Sequence, residues 1–536
     1  MTPRNYQLAE LFDAVADAVP DRLALVAGER RLTFAQLQER ARRFGNHLRD
    51  QGVGPGATVG IYARNRAEWI EAMLGAYAVR AVPVNVNFRY TDEELAYILD
   101  DADTVVLVVE RGFLPILGKV RDRLPTLRHL CVLDDETDPV EVPDPSGAVS
   151  YEAALAAASA APFIDGRSDD DRYILYTGGT TGMPKGVIWR HEDIFFAALG
   201  GNGFGGSPVT APTEVVERIA DEQTRMVTLI IAPMMHGAAQ WVTCITLFGG
   251  GEVVLSTATH FDPHEIWSLV ERERCNNVTL VGDAMARPLA EALGDGTVTH
   301  DTSSVAAIGS GGAIFSAAVK EQLRSHLPGV LIVDSFGASE TGAGASQLDP
   351  STGPRFPASE WTAVLDDELR PVVPGSGTVG RLARRGHIPV GYHKDEVKTA
   401  STFRTDADGV RWAVPGDHAS IDEDGMITLL GRGSNCINSG GEKIYPEEVE
   451  SALKRHPDVF DAVVLGVPDD RFTERVAAIV QPRPGRAPTV EELRVHCHTV
   501  IAGYKAPREV LLVETITRLA TGKADYRWAR EQLAAR

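Results

Sequence analysis

The chain has 536 residues, a formal net charge of −21 at pH 7, 44% hydrophobic residues and 24% charged residues. This length predicts two to four units of roughly 150 residues each, and the excess of acidic residues argues against nucleic acid as a partner, because binding a phosphate backbone requires a cationic face. The N-terminus lacks the basic start and hydrophobic block of a signal peptide, and no hydrophobic run approaches the ~18 residues of a membrane span. The five scattered cysteines form no CxxC pair. These features predict a cytoplasmic protein.

Residues 20–130 alternate β-branched runs (ATVGIYA, AVPVNVN, TVVLVV) with helical stretches. This alternation is typical of a layered α/β domain with a largely parallel sheet. Thr33 with Gln36, and Thr91 with Glu94, have the spacing of capping boxes and predict two helix starts.

The stretch YTGGTTGMPKG, residues 176–186, follows a hydrophobic run that predicts a strand. It is not a Walker phosphate loop, because Pro184 replaces the glycine before Lys185, and Gly186 stands where the hydroxyl should be. Its unhindered amides, threonine hydroxyls and one ammonium can nevertheless turn towards a triphosphate. A solvated turn remains the alternative interpretation on composition alone.

Strand, glycine and helix patterns recur over residues 171–345 and predict a second α/β layer, and residues 371–432 have the glycine, proline and short strand signals of a small β-rich subdomain. After residues 431–434 (GRGS) the pattern restarts with a helix in PEEVESALKRH, strands in DAVVLGV and VAAIVQP, and a capping box at Thr489 and Glu492. About a hundred residues suffice for a separate small domain.

These motifs, in this order, resemble those of the adenylate-forming superfamily, which contains the acyl-CoA synthetases, adenylation domains and beetle luciferases. The phosphate stretch is similar to that family's YTSGTTGxPKG loop, FGASETG (residues 336–342) to its YGxTE motif, PGDHASIDEDGMITLLGRGS to its ribose-binding aspartate and hinge, and TGK (residues 521–523) to its late catalytic lysine. The resemblance runs over almost the full length and implies ATP, Mg²⁺ and coenzyme A as cofactors.

The resemblance also implies a fold. It is an α/β protein with a large N-terminal domain, residues 1–432, made of layered α/β subdomains plus a small β-rich subdomain. A small mobile C-terminal α+β domain, residues 433–536, would rotate about a hinge near residues 431–434. The sequence leaves the oligomeric state open, a homodimer included.

The roles implied by the resemblance fall into five groups. Lys523, Glu340 and Lys185 would be catalytic, with Glu340 holding Mg²⁺. The ATP phosphates would contact Thr177, Gly178, Gly179, Thr180, Thr181 and Ser339. Adenine and ribose would contact Gly311, Gly312, Ala313, Phe336, Asp417 and Arg432. The acyl pocket would include His236, Gly237, Ala238 and Val281. The hinge and the coenzyme A site would include Ser434, Ser439, Gly440, Gly441 and Lys443.

The chain departs from the family pattern at four of these positions. Gly178 stands where serine is usual, Ser434 where the hinge has aspartate or lysine, and Phe336 and Ser339 replace tyrosine and threonine. None of these changes removes a charge that the chemistry needs. For His236 two interpretations stay open, a packed core histidine or an aromatic gate of the acyl channel.

The acid substrate is harder to predict. MMHGAAQWVTCITLFGG, residues 234–250, has no acidic side chain to pair with an α-amino group, which disfavours amino acids because an unpaired buried ammonium is costly. Small residues at 237–239 are expected to leave volume for a bulky hydrophobic acid. The resemblance is greatest to ligases of steroid side-chain and related acids. The alternatives are a ligase for medium-chain or aromatic acids, an acyl-AMP ligase that loads a carrier protein, and a nucleotide sensor without catalysis.

Overall fold

The computed structural model describes residues 2–135, 147–163, 166–177, 183–203, 206–294, 296–297, 299–313, 315–347, 355–432, 436–439, 442–469, 473–519 and 523–535. Its helices are α1 (Leu8–Ala18), α2 (Phe34–Asp50), α3 (Ala67–Ala78), α4 (Asp92–Asp101), α5 (Leu114–Val120), α6 (Tyr151–Ala157), α7 (His191–Ala198), α8 (Glu214–Glu217), α9 (Gly237–Phe248), α10 (Pro263–Glu273), α11 (Gly282–Gly294), α12 (Ala317–His326), α13 (Glu396–Thr402), α14 (Pro446–Lys454), α15 (Val490–Val500) and α16 (Tyr526–Ala534).

The strands of the first half of the chain are β1 (Leu23–Ala27), β2 (Arg30–Thr33), β3 (Thr58–Tyr62), β4 (Val82–Asn85), β5 (Thr104–Glu110), β6 (His129–Leu133), β7 (Ala148–Ser150), β8 (Arg172–Thr177), β9 (Lys185–Arg190), β10 (Val227–Ile230) and β11 (Glu252–Leu255). Those of the second half are β12 (Asn277–Leu280), β13 (Ala307–Gly311), β14 (Leu331–Ala338), β15 (Gly342–Gln347), β16 (Arg355–Pro357), β17 (Thr362–Leu365), β18 (Gly380–Arg384), β19 (Gly391–Tyr392), β20 (Phe403–Thr405), β21 (Arg411–Ala413), β22 (Asp417–Ile421), β23 (Met426–Arg432), β24 (Ile437–Ser439), β25 (Glu442–Ile444), β26 (Val459–Asp469), β27 (Thr473–Pro482) and β28 (Glu509–Leu512).

Two parallel sheets form the centre of the large N-terminal part. One has the order β4-β3-β5-β6-β7, and the other has the order β15-β14-β13-β12-β10-β11-β1-β2, with antiparallel strands only at its edges. The prediction of two α/β layers is confirmed. The strand β1, however, leaves the first layer and pairs with β11 in the second, a long-range pairing that no local pattern signals.

Three smaller sheets complete the fold. β8, β9 and β19 form an antiparallel sheet next to the phosphate stretch. β16–β18 and β20–β23 form a β-rich subdomain that begins at Arg355, earlier than the predicted residue 371, because β16 and β17 join its sheet. In the small C-terminal part, β24–β28 form one sheet against α14, α15 and α16. The fold is therefore the expected α/β fold with a large N-terminal and a small C-terminal part.

The large part is packed around several clusters of buried hydrophobic residues. One cluster of buried residues extends from Leu8 in α1 to Ala413 in β21, and a second lies under the other face of the large sheet, among α10, α11 and α12. All three predicted capping boxes are present, at Thr33, Thr91 and Thr489. Among the described residues, no helix combines the length and hydrophobicity needed to cross a membrane.

Candidate active site

The predicted phosphate stretch connects two antiparallel strands. β8 ends at Thr177 and β9 begins at Lys185, and these two residues are paired across the sheet. Gly178, Gly179, Thr180 and Thr181 lie outside the described residues. A strand-to-strand connection differs from the strand-to-helix geometry of a Walker loop, in agreement with the sequence.

Lys185 is joined to Glu340 through the short strand β19. The Lys185 ammonium lies 2.5 Å from Oδ2 of Asp395. Tyr392 pairs with Val187 of β9, and its hydroxyl donates to Oε1 of Glu340 at 2.8 Å. Tyr392 and Asp395 therefore fix the two charged groups relative to each other. Neither Tyr392 nor Asp395 was predicted as a site residue from the sequence. Both lie in GYHKDE, residues 391–396, within the segment predicted to be β-rich.

The segment that carries Glu340 is held from two sides. Phe336 lies on β14 and stacks on Phe356 with 5.6 Å between ring centroids. The indole N–H of Trp189 on β9 donates to the Ser339 carbonyl at 3.0 Å. The turn between β14 and β15 thus presents Ser339 and Glu340 beside the β9 strand that begins at Lys185.

The predicted adenine and ribose residues lie at neighbouring strand ends. Gly311 pairs with Ser335, immediately before Phe336, and Gly312 follows with a φ of +84°, a conformation that favours glycine. Ala313 contacts the main core cluster. Asp417 is buried and pairs across strands with Arg432. Gly311 ends a strand of the parallel sheet, where ligands of α/β proteins commonly bind, whereas Asp417 and Arg432 belong to the antiparallel β-rich sheet.

His236 occupies the position just before α9. Its backbone is extended, and its Nε2 atom is buried without a hydrogen-bond partner among the described residues. Burial, followed by the positive charges of Arg89 and Lys523, lowers the pKa of His236 to about 4. The imidazole is therefore neutral at physiological pH, and the ammonium of Lys523 lies close enough for its field to be felt.

Asn85 connects the phosphate strand to the His236 turn and was also missed from the sequence. Its side-chain amide donates to the carbonyls of Tyr176 and Met235 at 2.8 and 2.7 Å, and its oxygen accepts from the Tyr176 amide at 2.8 Å. The side chain is buried with all three bonds made. The hydrophobic run AVPVNVN, which predicts only a strand, gives no signal for this role.

The volume expected at residues 237–239 is not available at two of the three positions. A Cβ on Gly237 would lie 2.6 Å from Cδ2 of Leu175, and Ala239 is fully buried in the core. Gly237 therefore permits close packing and leaves no free space. Ala238 is partly exposed, and Val281 is almost fully buried at the end of β12.

Open space lies instead above the middle of the large sheet. Gly309 on β13 pairs with Thr279, which in turn pairs with Ile230. Ile230 belongs to the cluster on the α9 side of the sheet, and residues paired in register share a face, so Gly309 faces the α9 side. Its neighbour Ile308 belongs to the cluster on the opposite side, as the alternation along a strand requires. Among the residues that the structure describes, the atom nearest to a Cβ on Gly309 would be Oγ1 of Thr279, at 4.0 Å. This gap in the row of side chains is a candidate floor for an acyl pocket.

The C-terminal part places Lys523 in a short hairpin. The Leu519 amide donates to the Lys523 carbonyl at 2.9 Å, and Arg518 and Ala524 form an isolated bridge. Ser439 ends β24, and Lys443 lies in β25. Ser434, Gly440 and Gly441 lie outside the described residues.

The site contains oxygen ligands but no dense metal-binding cluster. Within the described ranges, no group of three or more histidine, cysteine, aspartate or glutamate residues could hold a metal ion by itself. Glu340 offers a single carboxylate with one oxygen oriented by Tyr392. This arrangement suits Mg²⁺, which is bound by one or two carboxylates together with substrate phosphates and water.

Comparisons with known proteins agree with this geometry. The pattern of the AMP-binding enzyme family matches residues 12–391, and that of the AMP-binding enzyme C-terminal domain matches residues 448–523. The 3-oxocholest-4-en-26-oate–CoA ligase of Rhodococcus rhodochrous is 46% identical over 99% of this chain and 96% of its own length. The medium/long-chain-fatty-acid–CoA/3-oxocholest-4-en-26-oate–CoA ligase of Mycolicibacterium smegmatis is 47% identical over 98% and 96%.

Among solved structures, the anthranilate CoA ligase AuaEII in complex with anthranoyl-AMP superimposes with a TM-score of 0.84 at 26% identity, covering 99% of this chain and 98% of that one. The family patterns, the full-length relatives and the fold agree with the resemblance seen in the motifs. The chain therefore belongs to the AMP-binding enzyme family, the adenylate-forming enzymes that include the acyl-CoA ligases.

Proposed function

We propose that this protein is an ATP-dependent ligase that converts a bulky hydrophobic carboxylic acid into its coenzyme A thioester through an acyl-adenylate. The observation that carries the proposal is the network around Lys185 and Glu340, in which the Lys185 ammonium pairs with Asp395 and the Tyr392 hydroxyl donates to the Glu340 carboxylate. A cation and a carboxylate held together in this way suit the phosphates and the Mg²⁺ of ATP. Lys523 of the small C-terminal part would add a second cation, and its charge, after burial and that of Arg89, helps to lower the pKa of His236.

In the first step, a carboxylate oxygen of the acid attacks the α-phosphorus of ATP. A new O–P bond forms, the bond to the bridging oxygen breaks, and pyrophosphate leaves with the electron pair. Negative charge builds on the phosphates, where Lys523 and Lys185 would stabilise it electrostatically in a site of low polarity. Thr177 and the phosphate stretch would contact the β- and γ-phosphates, and Ser339 the α-phosphate.

Glu340 would hold Mg²⁺ through its carboxylate, with Tyr392 fixing the orientation of Oε1. When bound, the metal would neutralise part of the phosphate charge. Phe336 and residues 311–313 would contact adenine, and Asp417 with Arg432 would contact the ribose hydroxyls. These assignments are supported by the strand pairing that places Gly311 beside Ser335 and Asp417 opposite Arg432.

In the second step, the coenzyme A thiolate attacks the acyl carbon and AMP leaves with the bonding electron pair. Lys523 is not needed at this carbonyl. We infer that residues 433–536 rotate about residues 431–434 between the two steps, so that residues 439–441 and Lys443 face the pantetheine arm. ATP and coenzyme A are abundant in the cytoplasm, and none of the five cysteines forms a disulfide, which favours a cytoplasmic location.

The acid is proposed to be a steroid-type, branched or long-chain carboxylate. Two observations support this class. The full-length relatives carry names for such acids, and Gly309 leaves open space on the face of the sheet next to α9. Hydrophobic walls such as Val281 favour an apolar acid over one with an ammonium group.

The test is mass spectrometry of the products formed from ATP, Mg²⁺ and coenzyme A with acetate, octanoate, palmitate and a steroid side-chain acid. AMP, pyrophosphate and an acyl-CoA are expected, with the longer or bulkier acids preferred. Glu340→Gln should abolish turnover, whereas Asp424→Asn, an exposed turn carboxylate, should not change it. ADP as product, or no nucleotide product, would refute the reaction class. A retained acyl-adenylate would indicate a carrier protein as acceptor, and preference for acetate would refute the acid class.

A further inference from the structure

Helix α11 lies between the acyl and adenine sides of the candidate site and is anchored there at its first turn. It begins directly after Val281. The Gly282 amide donates to Oγ of Ser310 at 2.9 Å, and Oδ1 of Asp283 accepts from the Ser316 amide at 2.8 Å. The helix is therefore fixed to the segment that carries residues 311–313, so its orientation is set by the nucleotide side of the cleft.

One stripe of charged residues on α11 faces the C-terminal part. Asp283, Arg287 and Glu291 are spaced four residues apart and so lie above one another on the helix. Arg287 donates to Oδ2 of Asp283 at 3.2 Å, and its side chain is only 4% exposed. Such burial is rare for an arginine unless it has a partner. We call these three residues the α11 face.

The partners of the α11 face belong to the C-terminal part. The Arg287 guanidinium lies 4.9 Å from the centroid of the Phe460 ring on β26, which is cation–π geometry. Glu291 lies 3.7 Å from Arg483, just after β27. Burial disfavours the charged form of Arg518, but its hydrogen bonds with Asp461, followed by the charges of Asp461, Glu450 and Asp283, raise its pKa. Arg287 and Glu291 therefore contact the C-terminal part directly, and Asp283 pairs with Arg287 on the same face.

These partners are connected to Lys523 by an ion pair between Asp461 and Arg518 and by a β-bridge. Asp461 follows Phe460 and accepts two hydrogen bonds from Arg518, both at 2.7 Å. Arg518 forms the base of the hairpin through its bridge with Ala524, and Lys523 lies in that hairpin. Movement of Phe460 relative to Arg287 would therefore carry Lys523 with it.

The chemistry of the contact suits repeated formation and release. Arg287 can be solvated when the C-terminal part leaves, and Phe460 is a single ring that is partly exposed already. An extended hydrophobic seam would resist opening, whereas a cation–π contact rimmed by one ion pair contributes orientation without locking the two parts together.

From this arrangement we propose that the α11 face is the docking surface that holds the C-terminal part in the adenylate-forming orientation, with Arg287 as a positioning residue that acts on Lys523 through Phe460. The proposal rests on the two-step function proposed above. It assigns to the α11 face a role in the first step only, because Lys523 is not needed in the second.

The experiment compares the two half-reactions in the full-length protein. Acid-dependent exchange between ATP and pyrophosphate measures adenylate formation, and thioester formation from a supplied acyl-adenylate and coenzyme A measures the second step. Arg287→Gln and Phe460→Leu should each lower exchange about tenfold and leave the second step unchanged or faster. Phe460→Tyr, which keeps an aromatic face, should restore most of the exchange, and the double variant Arg287→Gln with Phe460→Leu should be no worse than either single one.

Arg272→Gln on α10 is the matched control, because this half-exposed arginine pairs with Glu273 of its own helix. It should leave both half-reactions unchanged. If Arg287→Gln fails to fold, the comparison of Phe460→Leu with Phe460→Tyr tests the docking role of the α11 face instead. Equal losses in both half-reactions, or no loss in exchange, would overturn the docking proposal. Failure of the proposed function is distinguishable, since the unmodified protein itself would then catalyse neither half-reaction.

Discussion

The N-terminal and C-terminal parts differ in how they are held together internally and how they are held to each other. The large part is built around extensive hydrophobic clusters and around buried polar bonds such as that between Arg167 and Asp13, at 2.8 Å with both side chains buried. The contacts between the two parts include a hydrogen bond of 2.9 Å between Tyr445 and His418 and the cation–π pair of Arg287 with Phe460.

This difference suggests that the two parts have different roles in the reaction. The large part contains the residues proposed to select the acid and bind the nucleotide, and the small part contains the residue proposed to drive one of the two steps. Changes at the proposed acyl pocket of the large part should therefore alter which acid reacts. Changes at Lys523, or at the contact that positions it, should alter which step proceeds. Each prediction below tests one side of this comparison.

The largest effect is expected for Lys523→Ala. Loss of one preorganised cation at the developing phosphate charge should slow adenylate formation by about 10²- to 10³-fold. Thioester formation from a supplied acyl-adenylate should stay within about twofold, because that step does not use the lysine. Pyrophosphate exchange and thioester assays on the same preparation measure the two rates. Equal loss in both would show that the two parts do not divide the steps.

The next effect concerns the acid and belongs to the large part. Gly309→Val fills the open space above β13, where a Cβ has no described atom closer than 4.0 Å. We expect kcat/KM for a steroid acid to fall about ten- to a hundredfold and that for octanoate to change little, with Gly309→Ala in between. Steady-state kinetics with both acids measure the ratio. A parallel loss for the two acids would place the acyl pocket elsewhere.

Much of this division could be predicted from the sequence because its signals are local. Each capping box, at Thr33, Thr91 and Thr489, depends on residues within one helix turn. The strand before the phosphate stretch depends on one hydrophobic run, and the C-terminal unit shows as a restart of the helix and strand pattern. The order of the family motifs then placed Glu340, Asp417 and Lys523 in one site by resemblance.

The remaining features depend on contacts between distant segments, for which a single sequence contains no periodic signal. Asn85 joins β8 to the turn before His236, and Tyr392 joins β9 to Glu340. The stripe on α11 resembles an ordinary solvated helix face until Phe460 is seen against it. Gly237 shows the same limit, because a glycine is needed for close packing as often as for free space.

Between pH 6.5 and 5, acid should weaken the large part more than the small one. Burial lowers the pKa of His496 in the small part as well, but His496 is partly exposed, whereas His191 in the large part is not. His191 is fully buried, receives the Leu8 amide at Nδ1, and has its pKa lowered to about 3 by burial. The folded pKa lies below the unfolded value of about 6.5, so this stability is present above pH 6.5 and is lost as pH falls towards 3. From pH 6.5 to 5 the loss is about 2 kcal/mol.

In the small part, burial disfavours the charged form of Asp461, but Lys454 and Arg518 outweigh it and lower its pKa. Its contribution is therefore present above the unfolded pKa of about 3.9 and is lost only below that pH. Hydrogen exchange resolved by segment should show faster exchange around α1 and α7 between pH 6.5 and 5, with β26 unchanged. A His191→Gln variant should show a flatter pH dependence of Tm in this range. Simultaneous loosening of both parts would contradict the comparison.

The smallest effects come from a matched pair of helix caps. Thr33 closes a capping box in the large part and Thr489 closes one in the small part, with the same reciprocal bonds to Gln36 and Glu492. Replacing either threonine by alanine should cost about 1 kcal/mol of unfolding free energy. If the two parts unfold separately, Thr489→Ala should speed hydrogen exchange in β26 and β27 and leave α2 unaffected, and Thr33→Ala should do the reverse. If either variant destabilises both parts alike, the two parts unfold as one cooperative unit, which would contradict the separate stability proposed for them.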